Sequence, residues 1–113
     1  MEQIKDKNQL YPVFLKLEQL QVLLVGAGNV GLEKLQSLLV NSPDAYITIV
    51  APFVKEELRT FISSYQNCKL VERSFEEDDL NGKELIVLAT DDQELHRYIY
   101  SVAKERKILI NVA

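Results

Sequence analysis

The sequence Val22-Leu23-Leu24-Val25-Gly26-Ala27-Gly28-Asn29-Val30-Gly31 joins a short apolar run to a G-x-G-x-x-G pattern. Leu32, Leu35, Leu38 and Leu39 follow with the spacing of one helix face. This order predicts an apolar strand, a glycine turn and an amphipathic helix in immediate succession.

Each glycine of the pattern has a mechanical role in such a turn. Gly26 lets the chain reverse tightly, Gly28 leaves room for a pyrophosphate, and Gly31 lets the helix pack close to the strand. The helix N-terminus adds unpaired N–H groups and a partial positive charge. The strand–turn–helix context therefore predicts nucleotide binding, and the alternative is a glycine-rich turn that binds nothing.

Composition restricts the class of protein. A chain of 113 residues with 47% hydrophobic and 27% charged residues is typical of one soluble globular domain. The net charge of -4 and the scattered basic residues argue against a nucleic-acid or membrane surface. No apolar run approaches the roughly 18 residues of a membrane span, and the N-terminus is too polar for a signal peptide. Cys68 is alone, which fits a reducing cytoplasm and excludes a cysteine-based metal site.

Strands and helices alternate in the predicted order of elements. Strands are predicted at residues 10–17, 21–25, 47–50, 69–72, 85–89 and 108–112, and helical segments at 29–40, 54–65 and 76–80 and from residue 90 onward. Such alternation predicts an α/β fold, a Rossmann-like doubly wound parallel sheet with helices on both faces. We expect residues 1–113 to form a single dinucleotide-binding Rossmann domain, with a flexible N-terminus at residues 1–9.

Two turns should meet at one edge of this sheet. The first three strands form a mononucleotide-binding unit, and the strand at 85–89 should return to the other side of the strand at 21–25. The topological switch point then lies between Gly26 and Thr90. Because ligands bind there, beyond the carboxyl ends of the strands, the glycine turn and the turn Thr90-Asp91-Asp92 are predicted to line one crevice.

The second strand lacks an expected acid. Dinucleotide-binding domains usually carry a carboxylate about 20 residues after the glycines, where it holds the adenosine ribose. This chain has Val50-Ala51-Pro52-Phe53 at that place. Either backbone groups hold the ribose or the site is not an NAD site of the common kind. Lys55 could meet a 2′-phosphate, although a solvated helix residue is the simpler interpretation, so spacing alone leaves NAD and NADP open.

The second turn offers side chains with more than one role. Thr90 could contact the nicotinamide end of a cofactor or cap a helix, and these interpretations have equal weight. A capping box of Asp91 with Glu94, or of Thr90 with Gln93, would begin the helix. The adjacent carboxylates of Asp91 and Asp92 are expected to complement the helix dipole rather than to catalyse.

Other polar residues are predicted to have no catalytic role. His96, the single histidine, falls outside the apolar stripe of Leu95 and Ile99 and is predicted to be exposed. The acidic run Glu76-Glu77-Asp78-Asp79 could attract a cation but is predicted to be solvated. Cys68 is expected to pack at the start of a strand, and no metal site is predicted.

Six segments of the sequence and one lysine match a known family: residues 11–17, 22–30, 50–52, 75–80, 88–92 and 111–113, together with Lys34. They resemble the N-terminal domain of siroheme synthase, which also occurs as stand-alone precorrin-2 dehydrogenase/sirohydrochlorin ferrochelatase. The similarity runs from about Leu10 to the last residue, and Val-Ala-Pro is a fairly specific part of it because it replaces the usual acid.

The resemblance implies NAD⁺-dependent oxidation of precorrin-2 to sirohydrochlorin in siroheme and porphyrin biosynthesis. In many members a ferrochelatase (lyase) step with Fe²⁺ follows. Carried over by position, the cofactor would be bound by the glycine turn and by the ends of two further strands. The residues concerned are Gly26, Gly28, Asn29, Val30, Gly31, Pro52, Phe53 and Thr90.

In the family, an aspartate directly after the Asn-Val-Ala segment is the key acid, and a dimerisation region and a helical domain follow. Here the sequence ends at Ala113, so the resemblance assigns no catalytic residue within it. We therefore expect this chain to be the cofactor-binding domain of a longer homodimeric enzyme, inactive by itself. One alternative is a regulatory NAD(H)-binding module without catalysis, although such modules normally keep an acid after the second strand. A nucleotide-free interaction domain is the other.

Overall fold

A computed structural model describes residues 16–113 and contains alternating strands and helices. Two short 3-10 helices, Leu17–Gln19 and Glu77–Leu80, accompany them. The strands are β1 (Gln21–Val25), β2 (Tyr46–Val50), β3 (Cys68–Val71), β4 (Leu85–Leu88) and β5 (Leu109–Val112), and the helices are α1 (Asn29–Asn41), α2 (Glu56–Ile62) and α3 (Gln93–Glu105).

The five strands form one parallel sheet in the order β3-β2-β1-β4-β5. The chain runs outward from β1 to β3 and then returns to the other side of β1. Val25 at the end of β1 is paired in register with Val50 on one side and with Leu88 on the other. This confirms the Rossmann-like doubly wound sheet and the predicted switch point beside β1.

Alternate side chains of the sheet fill two hydrophobic cores. Val22 and Leu24 of β1 point to the layer that holds α1 and α2, where Leu35 and Leu58 are fully buried. The intervening residues of the strand point to the layer of α3, where Ile99 is fully buried. Helices therefore cover both faces, which explains why β1 and β4 read as continuous apolar runs.

The start of the described chain and the caps of two helices differ from the sequence prediction. The strand predicted at residues 10–17 lies outside the described residues apart from its end, where Leu17 starts a 3-10 helix, and residues 1–9 also lie outside. Neither predicted capping box begins α3, because Asp92 is its N-cap and accepts a hydrogen bond from the Leu95 N–H. A capping box is found instead at the 3-10 helix, between Glu76 and Asp79.

No helix of residues 16–113 is both long enough and apolar enough to span a bilayer.

Candidate functional site

The carboxyl ends of the strands open into a cleft of about 790 Å³. The glycine turn after β1 and the turn after β4 form two of its walls, and the residues after β2 and at the end of β5 also line it. Seven of the eight predicted cofactor-binding residues lie along this cleft: Gly26, Gly28, Asn29, Val30, Pro52, Phe53 and Thr90. The topology thus brings together residues as distant in the sequence as Gly26 and Thr90, which are 64 positions apart.

Gly26 forms the contact between the two turns. Its φ of +115° is a conformation that residues with a side chain rarely adopt. A Cβ at this position would lie 2.4 Å from the carbonyl oxygen of Ala89. Its N–H donates to the Val50 carbonyl at 3.0 Å, so the glycine is held between β2 and the end of β4. Any other residue would push the two walls of the cleft apart.

Gly28 faces open space. Among residues 16–113, no atom apart from those of its chain neighbours lies within 4 Å of the position that a Cβ would occupy there, and the residue is exposed at the N-cap of α1. Within the same residues no side chain caps this helix, and its first turn contains no acidic residue. The N–H groups and the positive end of the helix dipole are therefore free to bind an anion. Both features fit the pyrophosphate of a dinucleotide.

Gly31 is the predicted site residue that does not line the cleft. It is buried, and a Cβ there would lie 2.4 Å from the carbonyl oxygen of Gly26. Its contact is with the glycine turn itself. Gly31 therefore acts on the site by letting α1 pack directly against that turn.

Lys55 ties the loop after β2 to the glycine turn. Its N–H donates to the Ala27 carbonyl at 2.9 Å, and its ammonium donates to Asn29 Oδ1. The ammonium also forms an ion pair with Glu57 at 3.0 Å. Lys55 precedes α2 as its N-cap and is half-buried, whereas we had expected a solvated helix residue. The sequence signal for this role is only its place just after Pro52-Phe53.

The end of β2 provides apolar surface without a carboxylate. Val50 and Ala51 are buried, and the Ala51 N–H donates to the Val71 carbonyl at 3.2 Å. Pro52 and Phe53 follow on the cleft wall, and Phe53 is 85% exposed. An exposed, flat apolar ring at the mouth of the cleft offers a surface on which a planar base can stack.

Thr90 and His96 form a polar pair in the opposite wall. Thr90 Oγ1 lies 2.9 Å from His96 Nε2 and accepts a hydrogen bond from the Asp92 N–H at 3.1 Å. Thr90 thus supports the start of α3, although Asp92 is the N-cap. The prediction that His96 is exposed was wrong, because only 9% of the residue is accessible.

The register of α3 explains the burial of His96. Residues 96, 99 and 103 have the i, i+3, i+7 spacing of one helix face, and all three are buried. Leu95, which seemed to belong to the same stripe, lies at the edge of that face and is half-buried. The spacing of His96 to Ile99 and Ala103 was the signal that could have revealed its position.

The acidic residues of the second turn differ in their roles. Asp92 Oδ1 accepts from the Leu95 N–H at 3.1 Å, as expected of a side chain that complements the helix N-terminus. Asp91 is exposed and lines the cleft. Among residues 16–113 no group of three or more histidine, cysteine or acidic side chains could hold a metal ion.

Away from the cleft, the acidic run is only partly solvated. Arg73 holds Asp79 through two hydrogen bonds of 2.9 and 2.7 Å, and this contact lowers the pKa of the Asp79 carboxyl. The hydrogen bond from Tyr98 to Glu77 raises the pKa of the Tyr98 phenol. Cys68 begins β3 as predicted, and partial burial raises the pKa of its thiol.

Comparison with known proteins gives a consistent set of matches. Residues 13–113 match the model of a family described as putative NAD(P)-binding. The chain is 38% identical over 104 residues to siroheme synthase of Pseudoalteromonas atlantica and 36% identical over 104 residues to that of Pseudomonas fluorescens. Each alignment covers 92% of this chain and 22% of the relative, so the chain spans about a fifth of the length of these relatives.

A solved structure gives the same likeness. The precorrin-2 dehydrogenase SirC superposes with a TM-score of 0.77 at 30% sequence identity, over 92% of this chain and 49% of that one. The resemblance inferred from the sequence motifs is thereby confirmed.

Proposed function

The chain belongs to the putative NAD(P)-binding family, and from this premise we propose that it is the cofactor-binding domain of an NAD-dependent precorrin-2 dehydrogenase. The complete protein would oxidise precorrin-2 to sirohydrochlorin in siroheme biosynthesis. One observation carries the proposal. The N-terminus of α1, which has Gly28 and no side-chain cap at its start, faces a cleft that the turn after β4 also lines.

The cofactor would lie across both turns. We place the pyrophosphate over Gly28, with the backbone of Asn29 and Val30 as hydrogen-bond donors. The adenosine end would lie along Pro52 and Phe53, and the nicotinamide end near Thr90. Gly26 and Gly31 would shape the turn from behind. When bound, NAD⁺ accepts a hydride from the substrate, while the protein orients the reacting groups and excludes water.

NAD is proposed over NADP on the strength of the Lys55 contacts. The Lys55 ammonium, which contacts the glycine turn through Asn29, also forms an ion pair with Glu57. Its engagement leaves it less available for a 2′-phosphate. With Ala51-Pro52-Phe53 after β2, we propose that backbone groups and apolar contact hold the ribose and adenine.

The remaining proposals concern the complete protein. A further ferrochelatase (lyase) activity would insert Fe²⁺ into sirohydrochlorin, and regions beyond this domain would form a homodimer that encloses the tetrapyrrole. We propose a cytoplasmic protein that binds neither nucleic acid nor membrane, which the net charge of -4 supports.

Calorimetric titration of the 113-residue chain tests the cofactor site directly. We expect weak binding of NAD⁺, because this cleft holds the cofactor from two walls and is open to solvent, and we expect weaker binding of NADP⁺. If NAD⁺ produces no binding heat at millimolar concentrations, the cofactor site is wrong. Stronger binding of NADP⁺ would overturn the choice of cofactor.

A turnover assay with the complete gene product tests the reaction. With precorrin-2 and NAD⁺, we expect the absorbance of sirohydrochlorin to appear together with NADH. Omission of NAD⁺ is the control and should stop both signals. Binding of NAD⁺ without turnover would instead favour the regulatory NAD(H)-binding module.

A further inference from the structure

His96 is a buried polar residue to which the proposed cofactor site gives no role. It lies in the first turn of α3, is 9% exposed, and lines the cleft together with Thr90. Its Nε2 lies 2.9 Å from the Thr90 hydroxyl oxygen. A ring nitrogen held this close to a cleft hydroxyl can control what that hydroxyl presents to a ligand.

The hydrogen-bonding capacity of Thr90 makes this control specific. A threonine hydroxyl has one hydrogen to donate and two lone pairs that accept. The Asp92 N–H already occupies one lone pair at 3.1 Å. If His96 Nε2 carries a hydrogen, it fills the second lone pair and leaves the hydroxyl hydrogen for a ligand. If Nε2 carries none, the ring itself takes the hydroxyl hydrogen.

The surroundings of the ring favour the first arrangement. Within residues 16–113, Nε2 is the ring nitrogen with a hydrogen-bond partner, and Nδ1 has none in that part of the chain. A hydrogen on Nδ1 would therefore have no acceptor among residues 16–113, and buried donors are left unpaired more rarely than buried acceptors.

We propose that His96 is a positioning residue whose Nε2–H donates to Thr90 Oγ1 and so directs the Thr90 hydroxyl hydrogen into the cleft. There the hydroxyl donates to an oxygen acceptor at the nicotinamide end of the bound dinucleotide. This inference rests on the proposed cofactor site.

A double-mutant cycle on NAD⁺ binding tests the coupling. In calorimetric titrations of the 113-residue chain, Thr90→Val and His96→Leu should each raise the Kd about fivefold to tenfold, the effect of one hydrogen bond. The double variant should be no weaker than the weaker single variant, because both changes remove the same interaction. Thr90→Ser keeps the hydroxyl and should restore most of the affinity that Thr90→Val loses.

His96→Gln separates the hydrogen bond to Thr90 from the packing of the imidazole ring. Its amide N–H can reach the same hydroxyl, so we expect a Kd within about twofold of the wild type. Arg97→Gln, on the exposed side of α3, is the matched control and should leave the Kd unchanged. Urea unfolding of every variant identifies those that do not fold, and the comparison of His96→Gln with wild type remains available if His96→Leu is one of them.

The single histidine also gives a direct spectroscopic test. In nitrogen-15 NMR of a tag-free protein, the one imidazole should be in the Nε2–H form, and Thr90→Val should shift its Nε2 signal. An Nδ1–H ring, independent effects that multiply in the double variant, or a His96→Gln protein as weak as His96→Leu would each overturn the inference while leaving the cofactor site intact. A wild-type chain that binds no NAD⁺ would overturn both.

Discussion

The two turns that wall the cleft satisfy their helix N-termini in opposite ways. At the glycine turn, no side chain of the described part of the chain caps α1, and the first turn of this helix contains no acid. At the turn after β4, the Asp92 side chain caps α3, and Glu94 adds a carboxylate to its first turn. An anionic ligand is therefore expected at the N-terminus of α1, where the N–H donors are free, and not at α3, where a side chain already caps the helix.

The turns also differ in what keeps their shape. The glycine turn is shaped by close backbone contacts, with Gly26 against Ala89 and Gly31 against Gly26. The opposite wall is shaped by hydrogen bonds to side chains, one between Thr90 and His96 and one from the Leu95 N–H to Asp92. Substitutions should therefore damage the first turn by steric clash and the second by loss of polar contacts.

The largest effect is expected from Gly26→Ala. The new Cβ would clash with the Ala89 carbonyl in a backbone conformation that alanine already disfavours, so the free energy of unfolding should fall by about 3 kcal/mol or more. Urea unfolding at neutral pH measures this loss. Gly82→Ala is the control, because Gly82 also has a positive φ (+75°) but faces open space, and it should lose only about 1 kcal/mol. Equal losses would show that the contact between the turns is unimportant.

Gly28→Asp should separate ligand binding from stability. A carboxylate at the N-cap can bond the free N–H groups of α1, so the free energy of unfolding should stay within about 0.5 kcal/mol of the wild type. The same carboxylate would occupy and repel the position of the pyrophosphate, and the Kd for NAD⁺ should rise at least about a hundredfold. Calorimetry and urea unfolding measure the two quantities. Gly28→Ala, which adds volume without charge, should bind more strongly than Gly28→Asp, and unchanged NAD⁺ affinity in both would refute the placement of the pyrophosphate.

The contact between Arg73 and Asp79 is a second place where side-chain hydrogen bonds, rather than close backbone contacts, keep the local structure. Because the folded state lowers the pKa of Asp79, its contribution to stability is present above the unfolded pKa of about 4 and is lost as the pH falls through the folded pKa. Asp79→Asn should lower the free energy of unfolding by about 2 kcal/mol at pH near 7. The difference from the wild type should shrink in acid, as followed by urea unfolding over a pH series. Asp78 is exposed in the same 3-10 helix, so Asp78→Asn should change neither the free energy of unfolding nor its dependence on pH. If the difference between Asp79→Asn and the wild type did not shrink in acid, the contact with Arg73 would not be its cause.

The smallest effect is expected at the cap of α3. Asp92→Ala removes the acceptor of the Leu95 N–H and should cost about 1 kcal/mol of stability. Asp92→Asn keeps an acceptor oxygen and should lie within a few tenths of a kcal/mol of the wild type. Thermal unfolding measures both. If the alanine variant were as stable as the asparagine variant, the hydrogen bond from the Leu95 N–H to Asp92 would not stabilise the second turn.

Much of the fold and the outline of the site follow from local patterns. The apolar runs at β1 and β4 and the G-x-G-x-x-G pattern predicted a doubly wound sheet with one crevice, because periodicity and glycine spacing are local properties of the chain. The Val-Ala-Pro segment after β2 made the family resemblance more specific, because it replaces the acid that most dinucleotide-binding domains have there. The prediction for His96 failed because its burial depends on which face of α3 meets the sheet, and Leu95 suggested a face slightly rotated from the real one.

By itself, the sequence determined the order of the strands and helices, the position of the glycine turn and the absence of an acid after β2. These are properties of neighbouring residues and of their spacing. Only the tertiary structure decided that Gly26 touches Ala89, that Lys55 holds Asn29, and that His96 lies behind Thr90. The first two contacts join residues that are distant in the chain, and they arise only when parallel strands bring their carboxyl ends to a common edge. The position of His96 depends instead on which face of α3 packs against the sheet.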